Sequence, residues 1–312
     1  MISIVTLRIY SRILAPTDIT VTLGVTPTRT VGKGDPFSLR NPDGRRREWT
    51  TWSRKTQITS DNIGDHFATV LPWFTDLSSV KQKDPELEVA LSIMAYATPL
   101  GFRMSFVPEQ VTILASHNCG IGLDVYGGGD EDEDDNSDGA ELNVNTDIDQ
   151  GKEEISPELP EEGFSEESRI IKVSLVVQSG VLETADVTTS LGASPTDTVA
   201  KGVPSSREPD SSYREWAAWS RESLVTSEDL DEHFTALLPY ISKLSSLRVK
   251  DPNLSAHLSV MLFDGSTGFM VDLTGEQMAV LAAHGCGVTF DCYEKPKKML
   301  DGSGNSDADE PE

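Results

Sequence analysis

The 312-residue chain contains the same sequence pattern twice. Segment 47–54 reads REWTTWSR, and segment 214–221 reads REWAAWSR, 167 residues later. The same offset relates the HNCG run at 117–120 to the HGCG run at 284–287. Two copies are too few for a solenoid, which needs three or more stacked units. The sequence therefore predicts two tandem globular repeats.

Charge divides the chain into four segments. Residues 127–168 hold 17 acidic residues against a single lysine, together with several Gly and Pro and few aromatic residues. Such a composition cannot bury enough apolar surface to fold. We therefore expect a first repeat over 1–126, a disordered acidic linker over 127–168, a second repeat over 169–293 and a disordered acidic tail over 294–312.

Hydrophobic periodicity predicts an α+β fold for each repeat. The opening segment, 4–10, alternates apolar and polar residues as a half-buried strand does, and apolar residues from Ile63 to Leu77 fall on one helical face. Segments 87–95 and 102–106 read as two strands around a turn at 99–101. The predicted order is β-α-β-α-β-β-α-β, with the helices packed on a mainly antiparallel sheet.

Composition argues against several classes of function. The net charge is −25, which disfavours nucleic-acid binding because phosphate neutralisation requires clustered Lys and Arg. No apolar run approaches the ~20 residues that span a bilayer, and no signal peptide is recognisable at the N-terminus. Three cysteines make a disulfide framework improbable. We expect a soluble cytoplasmic protein that binds neither nucleic acid nor membranes.

The repeated Trp-Arg motif supplies the candidate binding residues. Because side chains alternate along a strand, Trp49 and Trp52 should point to opposite faces, one into the core and one outwards. An outward Trp flanked by Arg suits a partner surface, although packing of both against the two repeats explains the motif equally well. The candidate binding residues are Trp49, Trp52, Arg47, Arg54, Trp216, Trp219, Arg214 and Arg221.

The His-x-Cys pairs raise a second, weaker hypothesis. His117 and Cys119, with His284 and Cys286 in the second repeat, could ligate a metal or form a nucleophile–base pair with His66 or His233. A zinc site needs at least three protein ligands, and a nucleophile needs a positioned base. A buried Cys and a capping His at a helix end account for the same residues, so we predict no catalytic residue, no metal and no cofactor.

Six further features mark the first repeat: Leu23-Gly24, Pro27-Thr28, Lys33-Gly34, Trp49 with Trp52, Gly101-Phe102, and Asp124 with Tyr126. By these features, both repeats resemble a bacterial family, the domain of unknown function numbered 4279. Equivalent residues recur in the second repeat, and neither the linker nor the tail takes part. The resemblance implies no chemistry, but two copies in one chain suggest that the repeats pair with each other.

We accordingly expect a non-catalytic, immunity-like protein-binding module with a basic protein partner. Two alternatives remain open at this point. One is a small-ligand-binding protein or enzyme with a site near the Trp-rich strand or the His-x-Cys helix end. The other is a structural tandem domain that binds its partner through the acidic linker.

Overall fold

The fold was obtained as a computed structural model, which describes residues 2–37, 45–97, 101–127, 170–204, 213–264 and 269–294. The predicted linker and tail lie outside the described residues, except for residues 127 and 294. Most of the predicted turn at 99–101 lies outside them as well.

The two repeats have the same succession of elements. The first repeat contains β1 (Ile2–Ser11), α1 (Pro16–Leu23), β2 (Arg29–Val31), β3 (Thr50–Lys55), α2 (Ile63–Phe74), α3 (Leu77–Lys83), β4 (Glu88–Ala97), β5 (Phe102–Phe106), α4 (Pro108–Ser116) and β6 (Cys119–Gly127). The second repeat contains β7 (Ile170–Ser179), α5 (Thr184–Leu191), β8 (Asp197–Val199), β9 (Ala217–Glu222), α6 (Leu230–Ile241), α7 (Leu244–Lys250), β10 (Ser255–Asp264), β11 (Phe269–Leu273), α8 (Gly275–Ala283) and β12 (Gly287–Glu294).

Local signals in the sequence set the helix ends. Pro16 opens α1, where the missing N–H of proline costs nothing, and Gly24 closes it with a left-handed φ of 63°. The Asn62 side chain accepts a hydrogen bond from the backbone N–H of Gly64 at the start of α2. The single helix predicted to reach Leu77 is two helices, because α2 ends at Phe74 and a new helix begins at Leu77.

The α+β class with a mainly antiparallel sheet is confirmed, but the strand arrangement differs from the expected one. The strand orders are β11-β6-β4-β1-β3-β2 in the first sheet and β5-β12-β10-β7-β9-β8 in the second. Among the described strands, the β4–β6 and β10–β12 pairs are parallel and the others are antiparallel. The short β2 and β8, three residues each, were not predicted because no periodicity is visible over so few residues.

Each sheet takes one edge strand from the other repeat. β5 pairs with β12, from Phe102 beside Cys292 to Phe106 beside Val288. β11 pairs with β6 in the same antiparallel manner. The expected hairpin of β4 and β5 therefore does not form, because β6 lies beside β4 and β5 crosses to the other sheet.

The strand exchange joins the two repeats into one hydrophobic core. The Phe106 ring on β5 lies edge-on to Phe67 of α2, with ring centroids 6.5 Å apart, while the backbone of β5 pairs with the second repeat. Val271 and Leu273 of β11 are likewise buried. Helices α4 and α8 also pack against each other. Within the described residues, no helix is long and apolar enough to cross a membrane.

The strand exchange predicts that the halves hold together without a covalent connection. We expect residues 1–127 and 169–312, produced in one cell as separate chains, to co-elute as a 1:1 complex at the elution volume of the intact protein. In either half alone, the backbone N–H and C=O groups of the exchanged strand would have no neighbouring strand to pair with. Size-exclusion chromatography checks this, and two separately folded halves would contradict the exchange.

Candidate functional site

Alternate residues along the strands of the first sheet point away from the core and form what we call the open face. On β1, Val5, Leu7 and Ile9 are fully buried on the core side. Arg8 and Tyr10 point to the opposite side, and both are accessible. On β6, Gly120, Gly122 and Asp124 lie on the same side of the sheet as Arg8 and Tyr10. They alternate with Ile121 and Leu123, which are buried on the core side.

A groove of about 480 Å³ runs across this open face. Its floor is low because β4 and β6 place Ala90, Gly120 and Gly122 there, and these residues have little or no side chain. Arg8 and Asp272 lie among the groove residues, and Asp272 belongs to the exchanged strand β11. Both repeats are therefore required to build the groove.

The glycines of the floor are required by close contacts. A Cβ at Gly120 would lie 2.7 Å from the carbonyl oxygen of Leu273. One at Gly122 would lie 2.6 Å from Oδ1 of Asp272. Contacts below 3 Å are repulsive for any side chain, so the first glycine permits the approach of β11 and the second leaves room for the Asp272 carboxylate.

Like charges affect the electrostatics of the groove. Burial raises the pKa of Asp272, and the neighbouring Asp124 carboxylate raises it further, whereas Arg8 acts in the opposite direction. The groove lining carries three carboxylates, on Glu88, Asp124 and Asp272, against the one guanidinium of Arg8. The groove therefore favours a cationic group.

An aromatic–arginine cluster, formed by Tyr10, Phe37, Trp49, Arg12 and Arg47, continues the groove at one end. The Arg12 guanidinium lies over the Trp49 ring, 4.2 Å from its centroid. That of Arg47 lies 4.8 Å from the Phe37 centroid. A second hollow, of about 310 Å³, is lined by this cluster and shares Tyr10 and Glu88 with the groove. The two hollows thus form one continuous surface.

The two tryptophans of each motif have different environments. Trp52 and Trp219 are fully buried, and their indole N–H groups donate to the Thr20 and Thr188 hydroxyls at 3.1 Å. They hold α1 and α5 against the sheets and have no surface to offer a partner. Trp49 and Trp216 precede strands β3 and β9 and are half-buried.

The four candidate arginines also divide into two groups. Arg54 and Arg221 donate to the backbone carbonyls of Thr26 and Ser194 and lie over the rings of Trp73 and Tyr240, so they fix loops.

Arg47 and Arg214, the first residues of the two motifs, instead lie beside aromatic rings that are partly exposed. Arg47 contacts Phe37, and Arg214 lies over Trp216 with 5.2 Å to the centroid. Among the residues that the structure describes, neither Nε of Arg47 nor Nε of Arg54, both buried, has a hydrogen-bond partner.

The second sheet does not reproduce the groove. The register places Val176 at the position of Arg8 and His257 at that of Ala90. Thr289 replaces Gly122, and its hydroxyl lies 3.1 Å from that of Ser105. Gln178 and Gly180 stand where the first repeat has Tyr10 and Arg12. Larger side chains thus stand at two of the three floor positions, while Gly287 matches Gly120 at the third.

The His-x-Cys residues lie at helix ends, as expected for a capping His followed by a buried Cys. His117 and His284 follow the last residues of α4 and α8 as C-caps. Burial raises the pKa of both Cys119 and Cys286 to about 12, so their thiols are protonated at neutral pH. In the described part of the chain, no group of three or more His, Cys, Asp or Glu side chains could hold a metal ion.

His66 and His233 use both ring nitrogens within their own repeats. The Nδ1 of His66 lies 2.9 Å from the Thr56 hydroxyl, and Nε2 lies 2.9 Å from the carbonyl oxygen of Ser60. His233 makes the matching contacts to Ser223 and to the carbonyl oxygen of Ser227. These histidines are buried and fasten the loop before α2 or α6. They have no ring nitrogen left to act as a base toward the cysteines.

The sequence reasoning missed the charged residues of the groove, Arg8, Asp124 and Asp272, as site residues. The usable signal was the disagreement between the copies at outward-facing strand positions, such as Arg8 against Val176. Assigning Asp272 to the same face as Arg8 required knowledge of the strand exchange, which no local pattern shows.

The different environments of the two motif tryptophans predict different effects on stability. Replacing Trp52 with Ala should lower the free energy of unfolding by about 3–5 kcal/mol, because it leaves a large core cavity. Replacing Trp49 should cost about 1 kcal/mol or less, since only a cation–π contact and partial burial are lost. Urea denaturation of the two variants checks this, and equal losses would contradict the assignment.

The cysteines should be inert in the folded protein. At pH 8 we expect iodoacetamide to alkylate Cys119, Cys286 and Cys292 more than about 100-fold more slowly in the native protein than in urea, because the buried thiols do not ionise. Mass spectrometry of quenched samples gives the rates. Rapid native alkylation of Cys119 or Cys286 would revive the nucleophile hypothesis.

Comparison with known proteins supports the assignment of the two repeats. The family described as "Domain of unknown function (DUF4279)" matches residues 2–128 and again residues 169–295. No curated protein and no solved structure matches the chain. The two matches together cover well over half of the sequence and coincide with the two structural repeats. The chain therefore belongs to the DUF4279 family and carries two tandem copies of its domain.

Proposed function

We propose that the chain is a non-catalytic, immunity-like protein-binding module whose binding surface is the open face of the first sheet. The observation that carries the proposal is the continuity of the aromatic–arginine cluster with the charged groove. Trp, Tyr and Arg are the residues that dominate the energetics of protein interfaces.

The arrangement of the cluster favours binding over catalysis. Arg12 and Arg47 are already stacked on Trp49 and Phe37, so ordering them in a complex costs little conformational entropy. Protonated thiols and saturated histidines supply neither a nucleophile nor a base.

The charge of the groove supports a basic partner. Its lining has three carboxylates and one guanidinium, and the segment 127–168 adds a large excess of negative charge nearby in the chain. Such a field raises the rate at which a cationic protein encounters the surface. A cytoplasmic location belongs to the same proposal, since three free thiols suit a reducing compartment.

A small-ligand-binding protein is the second candidate, on account of the groove volume. About 480 Å³ falls within the range of small-molecule sites. The groove is, however, open along the sheet and continues into the aromatic–arginine cluster, which extends the contact surface beyond a small ligand. We therefore favour an extended segment of a protein partner.

The matched tryptophans provide the test. We expect a protein captured from the source cells by the tagged wild-type chain to be retained by the Trp216→Ala variant. The Trp49→Ala variant should retain it about tenfold less or worse, as expected for an aromatic residue central to an interface. Quantitative mass spectrometry of the three eluates gives the ratio.

Two controls complete this test. Urea denaturation should show both variants folded under the capture conditions, with losses of about 1 kcal/mol or less in the free energy of unfolding, which excludes unfolding as the cause. Replacing 127–168 with a neutral Gly/Ser segment of equal length should leave capture dependent on Trp49. Capture that survives Trp49→Ala but is lost with the neutral segment would place binding in the linker and contradict the proposal.

A further inference from the structure

The two sheets of this chain provide a matched pair at one carboxylate. Asp124 on β6 and Asp291 on β12 occupy equivalent positions, each next to an exchanged strand. In the second sheet the residue across from Asp291 is Arg103 of β5, and Nε of Arg103 lies 3.4 Å from Oδ1 of Asp291. The second repeat thus neutralises its carboxylate with a guanidinium of the chain itself.

The first sheet lacks this internal cation. The residue across from Asp124 is Met270, which carries no charge. Within the described part of the chain, no basic nitrogen lies within 4 Å of the carboxylate of Asp124 or of Asp272, and neither accepts a hydrogen bond. Arg8 interacts with Asp272 only through space. Two neighbouring carboxylates are therefore left without the partner that the other sheet provides.

Among the described residues, the sheet that lacks the internal cation has the lower floor beside its carboxylate. The groove floor beside Asp124 and Asp272 consists of Gly120, Gly122 and Ala90. In the second sheet Thr289 and His257 stand where Gly122 and Ala90 stand in the first. The absence of Arg103's counterpart and the low floor thus occur together, as expected if the site accommodates a group from outside.

We propose that Asp124 and Asp272 bind an arginine side chain of the protein partner, in the place that Arg103 takes beside Asp291. The inference rests on the proposed function and specifies its chemistry. A guanidinium is planar and presents several N–H donors, so it can bridge two carboxylates in a way that a lysine ammonium cannot. The Tyr10 ring belongs to the aromatic–arginine cluster and also lines the groove, so it connects the cluster to the hollow that contains this site.

Binding of a defined peptide to the full-length chain tests the inference. The probe is a capped peptide, Gly-Gly-Arg-Gly-Gly, with citrulline and lysine versions as matched controls, titrated by NMR at 150 mM salt. We expect the citrulline peptide, a neutral isostere, to bind about tenfold more weakly than the arginine peptide because the charge-assisted hydrogen bonds are lost. The lysine peptide should bind several-fold more weakly.

Substitutions on β6 and on the exchanged strands β11 and β5 locate the site. Met270→Arg copies the arrangement of the second sheet and should reduce the affinity for the arginine peptide about tenfold, since the new side chain pairs with Asp124. Asp124→Asn should act similarly. The mirror-image variant, Arg103→Met, should change the affinity less than twofold. The acidic segment 127–168 is identical in all variants and cannot produce these differences.

The outcomes separate the inference from the function on which it rests. If Met270→Arg and Asp124→Asn bind the peptide as the wild type does, the arginine site is overturned. If, in addition, partner capture remains dependent on Trp49, the proposed function survives this failure. If free arginine binds as tightly as the peptide, the site is one for a small molecule, and the assignment to a protein side chain is overturned.

Discussion

The structure depends on the backbone pairing of two exchanged strands. The N–H and C=O groups of β5 find their ladder partners in β12, and those of β11 find theirs in β6. A backbone group that is buried away from water without a partner is costly, and one end strand of each sheet comes from the other repeat, so neither repeat completes its sheet alone. The core follows the same rule, because Phe106 belongs to the second sheet by backbone and packs on Phe67 of the first repeat.

This arrangement explains why a functional surface can differ between copies of nearly the same fold. The open face of each sheet ends in a strand from the other repeat, so a change in one repeat alters the surface of both sheets. Asp272 belongs to the second repeat but lines the groove of the first sheet, while Arg103 belongs to the first and neutralises Asp291 of the second. Divergence at outward-facing positions, such as Ala90 against His257 and Gly122 against Thr289, then leaves one groove open and places larger side chains in the other.

The sequence predicted the repeats, the α+β class and most elements, because those depend on local signals. The start and end of α1 at Pro16 and Leu23 follow from the local preferences of proline and glycine. The pairing of β5 could not be predicted, because its alternation of buried Met104 and Phe106 with exposed Arg103 and Ser105 fits any sheet edge. For the same reason, motif spacing placed Trp49 and Trp52 on opposite faces but could not decide which one is buried.

In the proposed function, the long-range charge of residues 127–168 and the short-range contacts of the groove have different consequences. The charge of residues 127–168 acts at distances of a Debye length, about 8 Å at physiological salt, and favours any cationic protein. It therefore accelerates encounter without selecting a partner. The proposed contact of an arginine with Asp124 and Asp272 acts only at short range, where the geometry of the hydrogen bonds would distinguish arginine from lysine. Specificity thus has to reside on the open face, where the strand exchange holds carboxylates from both repeats at fixed positions.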